Sequence, residues 1–393
     1  MAVVVGTRPE AIKLAPVIAA LSGHPRLQPV VVVSGQHSSM VAQVFDIFGI
    51  RPDVDLHVDD VGSQLHSMVA AVISRLGDYL ARHRPDAVLV QGDTTTALGA
   101  ALVGFYAALP VVHLEAGLRS DDRRAPFPEE VHRRALTLMA DCHLAPTATA
   151  AVRLGREGVN EVYVTGNTVV DALLAMRERR TSYRDQRLES VDAHHGRVVL
   201  VTAHRRESWG APLDRIALAV AHLAGSARDV TFVVSAHPNP IVRASFSVLA
   251  ELPRVLVVAP EPYDSFVRLL ARADLVVTDS GGIQEEAATL GTRALVTRTT
   301  TERVEGIHAG IAQLVGTEVD AIVNAVEEAL APGARTAADV TAIYGDGLAA
   351  TRAVDHIDRL LRSARRTSMP QTSSAAGVSA PRCVEAAASS VMA

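Results

Sequence analysis

Residues 275–286 read Leu-Val-Val-Thr-Asp-Ser-Gly-Gly-Ile-Gln-Glu-Glu, a short β-branched run that leads through two glycines into a helical pattern. We predict a strand that ends at Thr278 and a helix that begins just after Ser280. The glycines allow a diphosphate to approach backbone N–H groups at the positive end of that helix. Glu286, about one turn into the helix, is placed to accept hydrogen bonds from a ribose. A capped turn without a ligand is the alternative.

The same strand-then-helix unit recurs along all 393 residues, a length that suits about two domains. Strands that are apolar on both faces and alternate with helices are typical of parallel sheets covered by helices on both sides. The sequence therefore predicts an α/β protein with two Rossmann-like, doubly wound domains. The other predicted strands are Val3 to Val5, Val30 to Val33, Ala87 to Val90, Val111 to Leu114, Val162 to Thr165, Val198 to Thr202, Thr231 to Ser235, Val255 to Val258 and Leu295 to Thr297.

Changes in composition divide the chain into segments. The charged, apolar-poor stretch 177–196 separates the two sets of strands, so we place the first domain at 1–169 and the second at 170–348. An amphipathic helix is predicted from Ala349 onward. Residues 366–393 are rich in Ser and Ala and have no periodicity, which predicts a disordered tail.

Composition excludes several classes of function. The net charge is −5 and aromatic residues make up 4%, so we expect no nucleic-acid partner. Among 38 basic residues only Lys13 is a lysine, and it follows Ile12, so no Walker-type phosphate loop exists. Two widely separated cysteines supply neither a disulfide framework nor a thiolate cluster, and we predict no metal site. No apolar run approaches the roughly 20 residues of a membrane span, so we expect a cytoplasmic protein without a membrane partner.

The first predicted strand leads into residues 6–13, Gly-Thr-Arg-Pro-Glu-Ala-Ile-Lys, which lack the GxGxxG pattern of a dinucleotide site. The sequence therefore lacks the main motif that would indicate a nicotinamide cofactor. Arg8 and Lys13 instead offer two cations at a helix N-terminus, a good site for phosphate. Every other basic residue of the chain is an arginine, so a single lysine at this position indicates a binding geometry that a guanidinium cannot reproduce. A solvated first helical turn is the alternative.

Acidic residues follow the strands of the first half, where ligands of open α/β sheets bind. Asp93 comes soon after the strand that ends at Val90, and Glu115 directly follows the one that ends at Leu114. Glu129 lies a short distance further along the chain. Clustered carboxylates raise one another's pKa and can supply a general acid or base near neutral pH. Each of them alone is more often structural, Asp93 as a helix N-cap.

Histidines and arginines take the corresponding positions in the second half. His204 and His237 each follow a predicted strand, and a histidine at a strand end is a candidate for acid–base chemistry or phosphate binding. Arg298 and Arg303 follow a third strand and add cations to the same cleft. For His237, a capped turn before Pro238 is the alternative.

Taken together, a series of segments resembles the non-hydrolysing UDP-N-acetylglucosamine 2-epimerases in order and spacing, over residues 1 to about 365. The resemblance implies a fold like that of the GT-B glycosyltransferases, with helix 349–365 returning to the first domain and the active site in the interdomain cleft. The segments are GTRPEAIK, GQH, QGDTTT, HLEAGLRS, PFPEE, APT, VTGNTVVDALL, VTAHRRES, TDSGGIQEE and TTTERVEG.

The resemblance implies an isomerase that interconverts UDP-N-acetylglucosamine and UDP-N-acetylmannosamine without a cofactor. In that reaction a base removes the proton at sugar C2 and UDP leaves C1. The bound 2-acetamidoglucal is then reprotonated on its other face, and UDP adds again. The resemblance further implies a homodimer in polysaccharide biosynthesis, activated by a second molecule of UDP-N-acetylglucosamine.

By matched position, the resemblance assigns three groups of residues. Proton transfer, sugar contact and stabilisation of the leaving diphosphate fall to Asp93, Glu115, Glu129 and His204. Nucleotide-sugar binding falls to Arg8, Lys13, Ser280, Gly281, Gly282, Glu286 and Arg303, with Phe266 packed on uracil. The activator site would comprise Gln36, Arg206 and His237.

The chain departs from the family pattern at several positions. Where the family has HRREN, RDTTERPE and EExNR, this chain has HRRES at 204–208, RTTTERVE at 298–305 and EEVHR at 129–133. Thr299 and Val304 replace an Asp and a Pro of the family pattern. These changes could reshape the nucleotide-sugar loop, so a modified sugar is an alternative substrate. Two other functions stay open: a glycosyltransferase of the same shape, which passes the sugar to an acceptor, and a UDP-sugar sensor without catalysis.

Overall fold

The computed structural model describes residues 1–62, 64–331 and 343–368, and it contains two parallel sheets with helices on their faces. The first half has β1 (Ala2–Val5), α1 (Arg8–Ser22), β2 (Val30–Val33), α2 (Ser38–Phe48), β3 (Val54–Asp55), α3 (Leu65–His83), β4 (Val88–Gln91), α4 (Thr95–Tyr106), β5 (Val111–Leu114), α5 (Glu129–Met139), β6 (Cys142–Ala145), α6 (Ala148–Arg156), β7 (Val162–Val164) and α7 (Thr168–Arg177).

The second half has the same alternation of strands and helices. Its elements are α8 (Glu189–Ala193), β8 (Arg197–Thr202), α9 (Ala211–Ser226), β9 (Val230–Ser235), α10 (Pro240–Ser247), β10 (Val255–Val258), α11 (Tyr263–Arg272), β11 (Leu275–Thr278), α12 (Gly281–Leu290), β12 (Arg293–Val296), α13 (Val304–His308), β13 (Ala312–Leu314), α14 (Val319–Ala329) and α15 (Ala349–Ser368).

Both sheets are doubly wound, which confirms the predicted fold class. The strand order is β3-β2-β1-β4-β5-β6-β7 in the first sheet and β10-β9-β8-β11-β12-β13 in the second. Strand β1 therefore lies between β2 and β4, and β8 lies between β9 and β11. Strand order reverses at these two points, so a crevice opens beyond the carboxyl ends of the central strands. Each sheet thus offers one place for a ligand.

The composition of the strands explains why both sheets are covered on two faces. In β1, all four residues are buried, and in β8 every residue after Arg197 is buried. Alternate residues of a strand point to opposite faces, so a strand with no polar alternation needs an apolar layer on each side. Helices on both faces of each sheet supply those layers. The β-branched runs therefore determine the three-layer architecture.

The last described helix packs against the first half of the chain. Ala353 and Ile357 on α15 are buried in the cluster that also contains residues of α1 and α7. The carboxylate of Asp171 on α7 accepts hydrogen bonds from the backbone N–H groups of Ala349 and Ala350, at 3.3 and 2.9 Å. Asp171 thus caps α15 from outside the helix and fixes where it begins.

Every predicted strand is present, with ends within two residues of the prediction. The sequence did not reveal β3, β6 and β13, because each is short and contains polar residues such as His143 and Gln313 in place of a β-branched run. Helix α15 ends at Ser368, and the rest of the predicted tail lies outside the described residues. None of the helices described is long and apolar enough to cross a membrane.

Candidate active site between the two sheets

Lys13, the one lysine of the chain, lies buried between the two halves of the protein. Its Nζ donates to Glu115 Oε2 at 2.5 Å and to Glu285 Oε2 at 3.2 Å. Glu115 follows β5 in the first half, whereas Glu285 lies on α12 in the second. Burial lowers the pKa of Lys13, but the two carboxylates outweigh it and the net shift is upward. Lys13 therefore joins the two halves, and its contact with the nucleotide-sugar stays a prediction.

Arg303 binds three carboxylates at the same boundary, one of them on the opposite half. Its guanidinium donates to Glu285 Oε1 at 2.9 Å, to Glu115 Oε1 at 3.1 Å and to Glu302. Burial disfavours the cation, yet the surrounding carboxylates raise its pKa well above the ordinary value. A charge buried this deeply is stable only when each of its donors has an acceptor. Glu285 and Glu302 on its own half and Glu115 on the opposite half provide those acceptors.

Glu302 connects this network to a second group of arginines. Its carboxylate accepts hydrogen bonds from Arg298 at 3.0 Å and Arg133 at 3.4 Å, besides the contact with Arg303. Burial raises the pKa of Glu302, but the arginines outweigh it and hold the pKa well below its ordinary value. Glu302 is therefore a fixed anion that holds three guanidinium groups together.

Glu115 is held in place by its own backbone as well as by its partners. It has φ 64°, in the left-handed region that a residue with a side chain rarely adopts. This conformation at the end of β5 directs its carboxylate to Lys13, to Arg303 and to Gln91, whose Nε2 donates at 2.6 Å. Burial is the largest influence on the pKa of Glu115 and raises it overall, although Lys13 opposes the shift. Such strain persists only where surrounding contacts compensate for it.

Asp93 and Glu129 interact electrostatically, and their pKa values are shifted in opposite directions. Asp93 accepts a hydrogen bond from Arg133 at 2.7 Å. Burial favours its neutral form, but Arg133 and Arg303 outweigh burial and lower the pKa. For Glu129, burial raises the pKa and the charge of Asp93 raises it further. Two carboxyl groups with opposite shifts can serve as a base and an acid at one pH.

Glu129 also has an unused hydrogen-bonding atom. Its Oε2 is buried and has no hydrogen-bond partner in the described part of the chain. Glu129 is the first residue of α5. A buried carboxyl oxygen normally has a partner, so this atom is available to a ligand group.

The junction of β11 and α12 has the geometry of an anion site. Ser280 is the N-cap of α12, and its side chain makes no capping hydrogen bond. A Cβ added to Gly281 would lie 2.9 Å from the guanidinium of Arg303, whereas Gly282 has open space around it. The N–H groups of this first turn are therefore accessible to a diphosphate.

Arg8 and Glu286 lie beside that junction. Arg8 Nη2 donates to the carbonyl oxygen of Glu261 at 3.2 Å, so the first turn of α1 also contacts the second half. Burial lowers the pKa of Arg8, and Glu286 opposes the shift. Burial raises the pKa of Glu286 to about 7. A carboxyl group that titrates near neutral pH can donate or accept a hydrogen bond from a sugar hydroxyl.

Two histidines stack at the carboxyl ends of β8 and β9. The rings of His204 and His237 have centroids 5.4 Å apart and planes 12° apart. Burial lowers the pKa of each, which favours neutral imidazoles. Buried Asp279 accepts the backbone N–H groups of His204 and Arg205, both at 2.9 Å, and so fixes the loop that carries His204.

The structure brings most of the predicted site residues to this boundary. Asp93, Glu115, Glu129, Lys13 and Arg303 form one connected cluster of charges. Three further predicted residues have partners of their own. Arg8 interacts electrostatically with Glu286, and the charge of Arg8 lowers the pKa of His204. Gln36 accepts a hydrogen bond from Thr96 at 2.8 Å.

Two predicted residues lie differently from the rest. The ring of Phe266 is only 8% exposed and packs in the core of the second half with Leu188 and Val258, so little of its face is free for a base. Its contact with uracil stays a prediction. The side chain of Arg206 lies outside the described part of the structure.

Sequence reasoning missed three buried acids. Glu10 accepts hydrogen bonds from Gly6 N, Thr7 N and Thr94 Oγ1, whereas Glu285 and Glu302 bind the cations. All three stood inside the quoted motifs, and Glu302 lies next to Arg303 in the sequence. Their burial was the missing information, since the neighbouring residues in the sequence do not distinguish them from acids on solvent-exposed helices.

Among the described residues, no group of His, Cys, Asp or Glu side chains is arranged to hold a metal ion.

Comparison with known proteins connects this geometry to one family. The family model described as UDP-N-acetylglucosamine 2-epimerase matches residues 19–358. The UDP-N-acetylglucosamine 2-epimerase of Escherichia coli K12 is 41% identical over 362 residues, which cover 90% of this chain and 96% of that protein.

Solved structures give the same result. The UDP-GlcNAc 2-epimerase from Neisseria meningitidis, bound to UDP-GlcNAc, superimposes with a TM-score of 0.86 at 37% identity, over 91% of this chain and 99% of that one. The enzyme from Methanocaldococcus jannaschii, in complex with UDP-GlcNAc and UDP, gives 0.78 at 28% identity, over 91% and 99%. The glycotransferase of kitacinnamycin gives 0.62 at 16%, over 92% and 98%, which shows a shared fold alone.

The raised pKa of Glu10 predicts a pH-dependent stability. Its pKa is ordinarily 4.5 and burial raises it to about 7, so the folded state holds this proton more tightly than the unfolded chain. The stability contributed by the proton is fully present below about pH 4.5 and is lost as the pH rises through about 7. Glu10→Gln keeps an oxygen acceptor for the two N–H groups and places an amide nitrogen beside the hydroxyl of Thr94, but it cannot release a proton.

We therefore expect the melting temperature of Glu10→Gln to fall less than that of the wild type between about pH 5 and pH 8, with a difference worth up to about 3 kcal/mol. Thermal unfolding in a series of buffers measures this. Glu178→Gln, at an exposed residue, is the matched control and should follow the wild type. Parallel pH profiles for wild type and Glu10→Gln would contradict the assignment.

Proposed function

The chain belongs to the UDP-N-acetylglucosamine 2-epimerase family, and we propose that the cluster around Asp93, Glu129 and Arg303 catalyses the epimerisation at C2 of UDP-N-acetylglucosamine to UDP-N-acetylmannosamine. One observation carries the proposal. Two carboxyl groups with opposite pKa shifts on the first half lie beside a glycine-rich helix N-terminus on the second half. Proton transfer and diphosphate binding are thereby brought into one cleft.

The reaction we propose is an elimination followed by a re-addition. A carboxylate takes the proton from C2, the electrons of that C–H bond form the C1–C2 double bond, and the C1–O bond breaks with its electron pair on UDP. The neutral 2-acetamidoglucal and UDP both stay bound. A protonated carboxyl group then gives a proton to the opposite face of C2, and UDP adds to C1. Atoms and charge balance without an oxidant or a metal.

The electrostatics support a division of labour between Asp93 and Glu129. Arg133 and Arg303 favour the anion of Asp93, as the C2 base requires. Glu129 has a raised pKa and an unpartnered buried oxygen, as a proton donor requires. In the reverse direction the two exchange roles, because each ends a turnover in the other's protonation state. Glu115, fixed by Lys13 and Arg303, would contact the sugar and hold both cations in place.

Departure of UDP needs positive charge near the β-phosphate, because the C2 proton is only weakly acidic. We assign this role to Arg8, to the N–H groups of the first turn of α12 and to His204. His204 is favoured as a neutral imidazole and would donate an N–H rather than a full charge. The contacts of Arg303 with Glu115 and of Lys13 with Glu285 would keep the two halves together while the glycal and UDP are separate, which retains both and excludes water.

The alternatives from the sequence are less well supported. A glycosyltransferase would use the same diphosphate site, but it has no need for two carboxyl groups with opposite pKa shifts at one point. A sensor would bind the nucleotide-sugar without releasing the C2 proton. A modified sugar stays open, since Thr299 is exposed near the nucleotide-sugar loop.

Several further features are part of the proposal. We expect a cytoplasmic enzyme that supplies UDP-N-acetylmannosamine for polysaccharide biosynthesis. We also expect a homodimer. Three large apolar side chains near the C-terminal ends of α4 and α5 are exposed and offer a surface for the partner subunit: Phe105, Tyr106 and Leu138.

We further propose a second UDP-N-acetylglucosamine site beside the first. Gln36, Arg206 and His237 would form it. The stacking of His237 on His204 supports coupling between the sites, because a ligand that moves one ring must move the other. The charge of His37 also influences His237, so the loop after β2 lies close enough to contribute.

Asp93→Asn should abolish exchange of the C2 hydrogen while UDP still binds. Proton transfer needs the carboxylate, so we expect the rate of deuterium incorporation at C2 in heavy water to fall by about 100-fold to 10,000-fold. The affinity for UDP, measured by calorimetry, should stay within about 3-fold. Asp78→Asn, at an exposed residue of the same half, is the control. Exchange by Asp93→Asn at the wild-type rate would contradict the role of Asp93, and a folded wild type that exchanges no deuterium would contradict the function.

Activation can be tested from the mannosamine side. Starting from UDP-N-acetylmannosamine alone, the wild type should show a lag that a trace of UDP-N-acetylglucosamine removes, because the activator must first accumulate. His237→Ala should lose this stimulation before it loses substrate binding, and His222→Ala, at an exposed residue, should keep it. Progress curves without lag or stimulation in the wild type would exclude the second site.

A further inference from the structure

The turn that carries Asp93 is held by side chains from distant parts of the chain. His113 Nε2 lies 2.7 Å from the carbonyl oxygen of Gly92, and His132 Nδ1 lies 2.9 Å from the carbonyl oxygen of Asp93. Arg133 holds the carboxylate of Asp93, and Thr94 is bound to Glu10. Two imidazoles therefore form hydrogen bonds with two successive backbone carbonyl groups, one on each side of the Asp93 Cα.

The chemistry of these contacts fixes the position of one proton on each ring. A carbonyl oxygen can only accept, so Nε2 of His113 and Nδ1 of His132 must each carry hydrogen. Nδ1 of His113 is buried without a partner among the described residues. Burial also lowers the pKa of His113 to about 4, so its ring is neutral at neutral pH. Both donor atoms are thus committed to the backbone.

Holding both carbonyls fixes the orientation of the Asp93 side chain. Gly92 has φ 70°, which only glycine adopts readily. Its N–H donates to the carbonyl oxygen of Leu114 at 3.0 Å, whereas the carbonyl groups of Gly92 and Asp93 are held by the two imidazoles. If either peptide plane rotated, the Cα of Asp93 would turn and its carboxylate would move relative to a bound sugar. A displacement of about 1 Å at a reacting group can lower a rate by about 100-fold.

We propose that His113 and His132 are positioning residues for Asp93: each donates one N–H to a carbonyl of the Gly92–Thr94 turn and so keeps the carboxylate in line with C2. The proposal rests on the proposed function, because it assumes that Asp93 exchanges a proton with the substrate. Neither imidazole transfers a proton itself. Their contribution is geometric.

The two rings use different nitrogens, which makes the proposal testable by matched substitutions. The amide nitrogen of Asn occupies the place of Nδ1 in His, and that of Gln occupies the place of Nε2. At 132, Asn can therefore replace the donor and Gln cannot, whereas at 113 the preference is reversed. The family pattern EExNR has Asn where this chain has His132, and Asn is the residue that keeps an N–H at that point.

Turnover of four variants tests the proposal. We expect His132→Gln and His113→Asn to lower kcat by about 10- to 100-fold with KM within about 3-fold, because substrate binding does not depend on the turn. His132→Asn and His113→Gln should recover most of that loss. His66→Gln, at an exposed histidine of α3, should behave as the wild type.

A deuterium isotope effect separates positioning from mere loss of fold. With substrate deuterated at C2, the isotope effect on kcat should increase in His132→Gln, because a misplaced base makes proton transfer slower than the other steps. A smaller folded fraction would lower kcat and leave the isotope effect unchanged, and that result would overturn the proposal. Equal losses in His132→Gln and His132→Asn would also overturn it, since the imidazole itself would then be required. A wild type without C2 exchange would instead overturn the proposed function.

Discussion

The guanidinium of Arg303 is the interaction on which the arrangement of the site depends. It reaches from the loop after β12 to Glu115 on the first half and binds Glu285 and Glu302 on its own half. Removing such a charge from water is unfavourable by several kcal/mol unless all its donors are satisfied. Full satisfaction requires the carboxylate of Glu115 from the opposite half. The two halves are therefore joined by a contact that is stable only when the cleft is closed.

This constraint extends to the chemistry. Arg303 also lowers the pKa of Asp93, so the second half helps to ionise the base on the first half. For Glu129, burial and the charge of Asp93 outweigh Arg205 and Arg133, so its pKa stays raised. Closing the cleft would therefore assemble the base, the acid and the diphosphate site in one step. An open enzyme would keep Arg133 beside Asp93 but lose the contribution of Arg303, so the pKa of Asp93 would be lowered less than in the closed enzyme. Ionisation of the base is therefore strongest in the state in which the glycal and UDP are retained.

Sequence patterns predicted the fold because the strands are apolar on both faces, and a parallel sheet requires that. They also placed Asp93, Glu115 and His204 correctly at strand ends, since topology alone brings those positions to one edge. They could not identify Glu10, Glu285 and Glu302 as buried partners, because burial depends on how the two halves meet. Phe266 illustrates the same limit: the sequence did not reveal that it packs with Leu188 and Val258, and its contact with uracil stays a prediction. Contacts between residues that are far apart in the chain cannot be predicted from the local sequence around each residue.

The central claim is that UDP leaves C1 and adds again while both fragments stay bound. Positional isotope exchange tests it most directly, with UDP-N-acetylglucosamine that carries oxygen-18 in the bridge between C1 and the β-phosphorus. If the C1–O bond breaks, the freed β-phosphate can rotate, and phosphorus NMR of recovered substrate and product will show label in non-bridging positions. The account predicts this scrambling at a rate at least equal to that of epimerisation. Epimerised product with all of its label still in the bridge would contradict it.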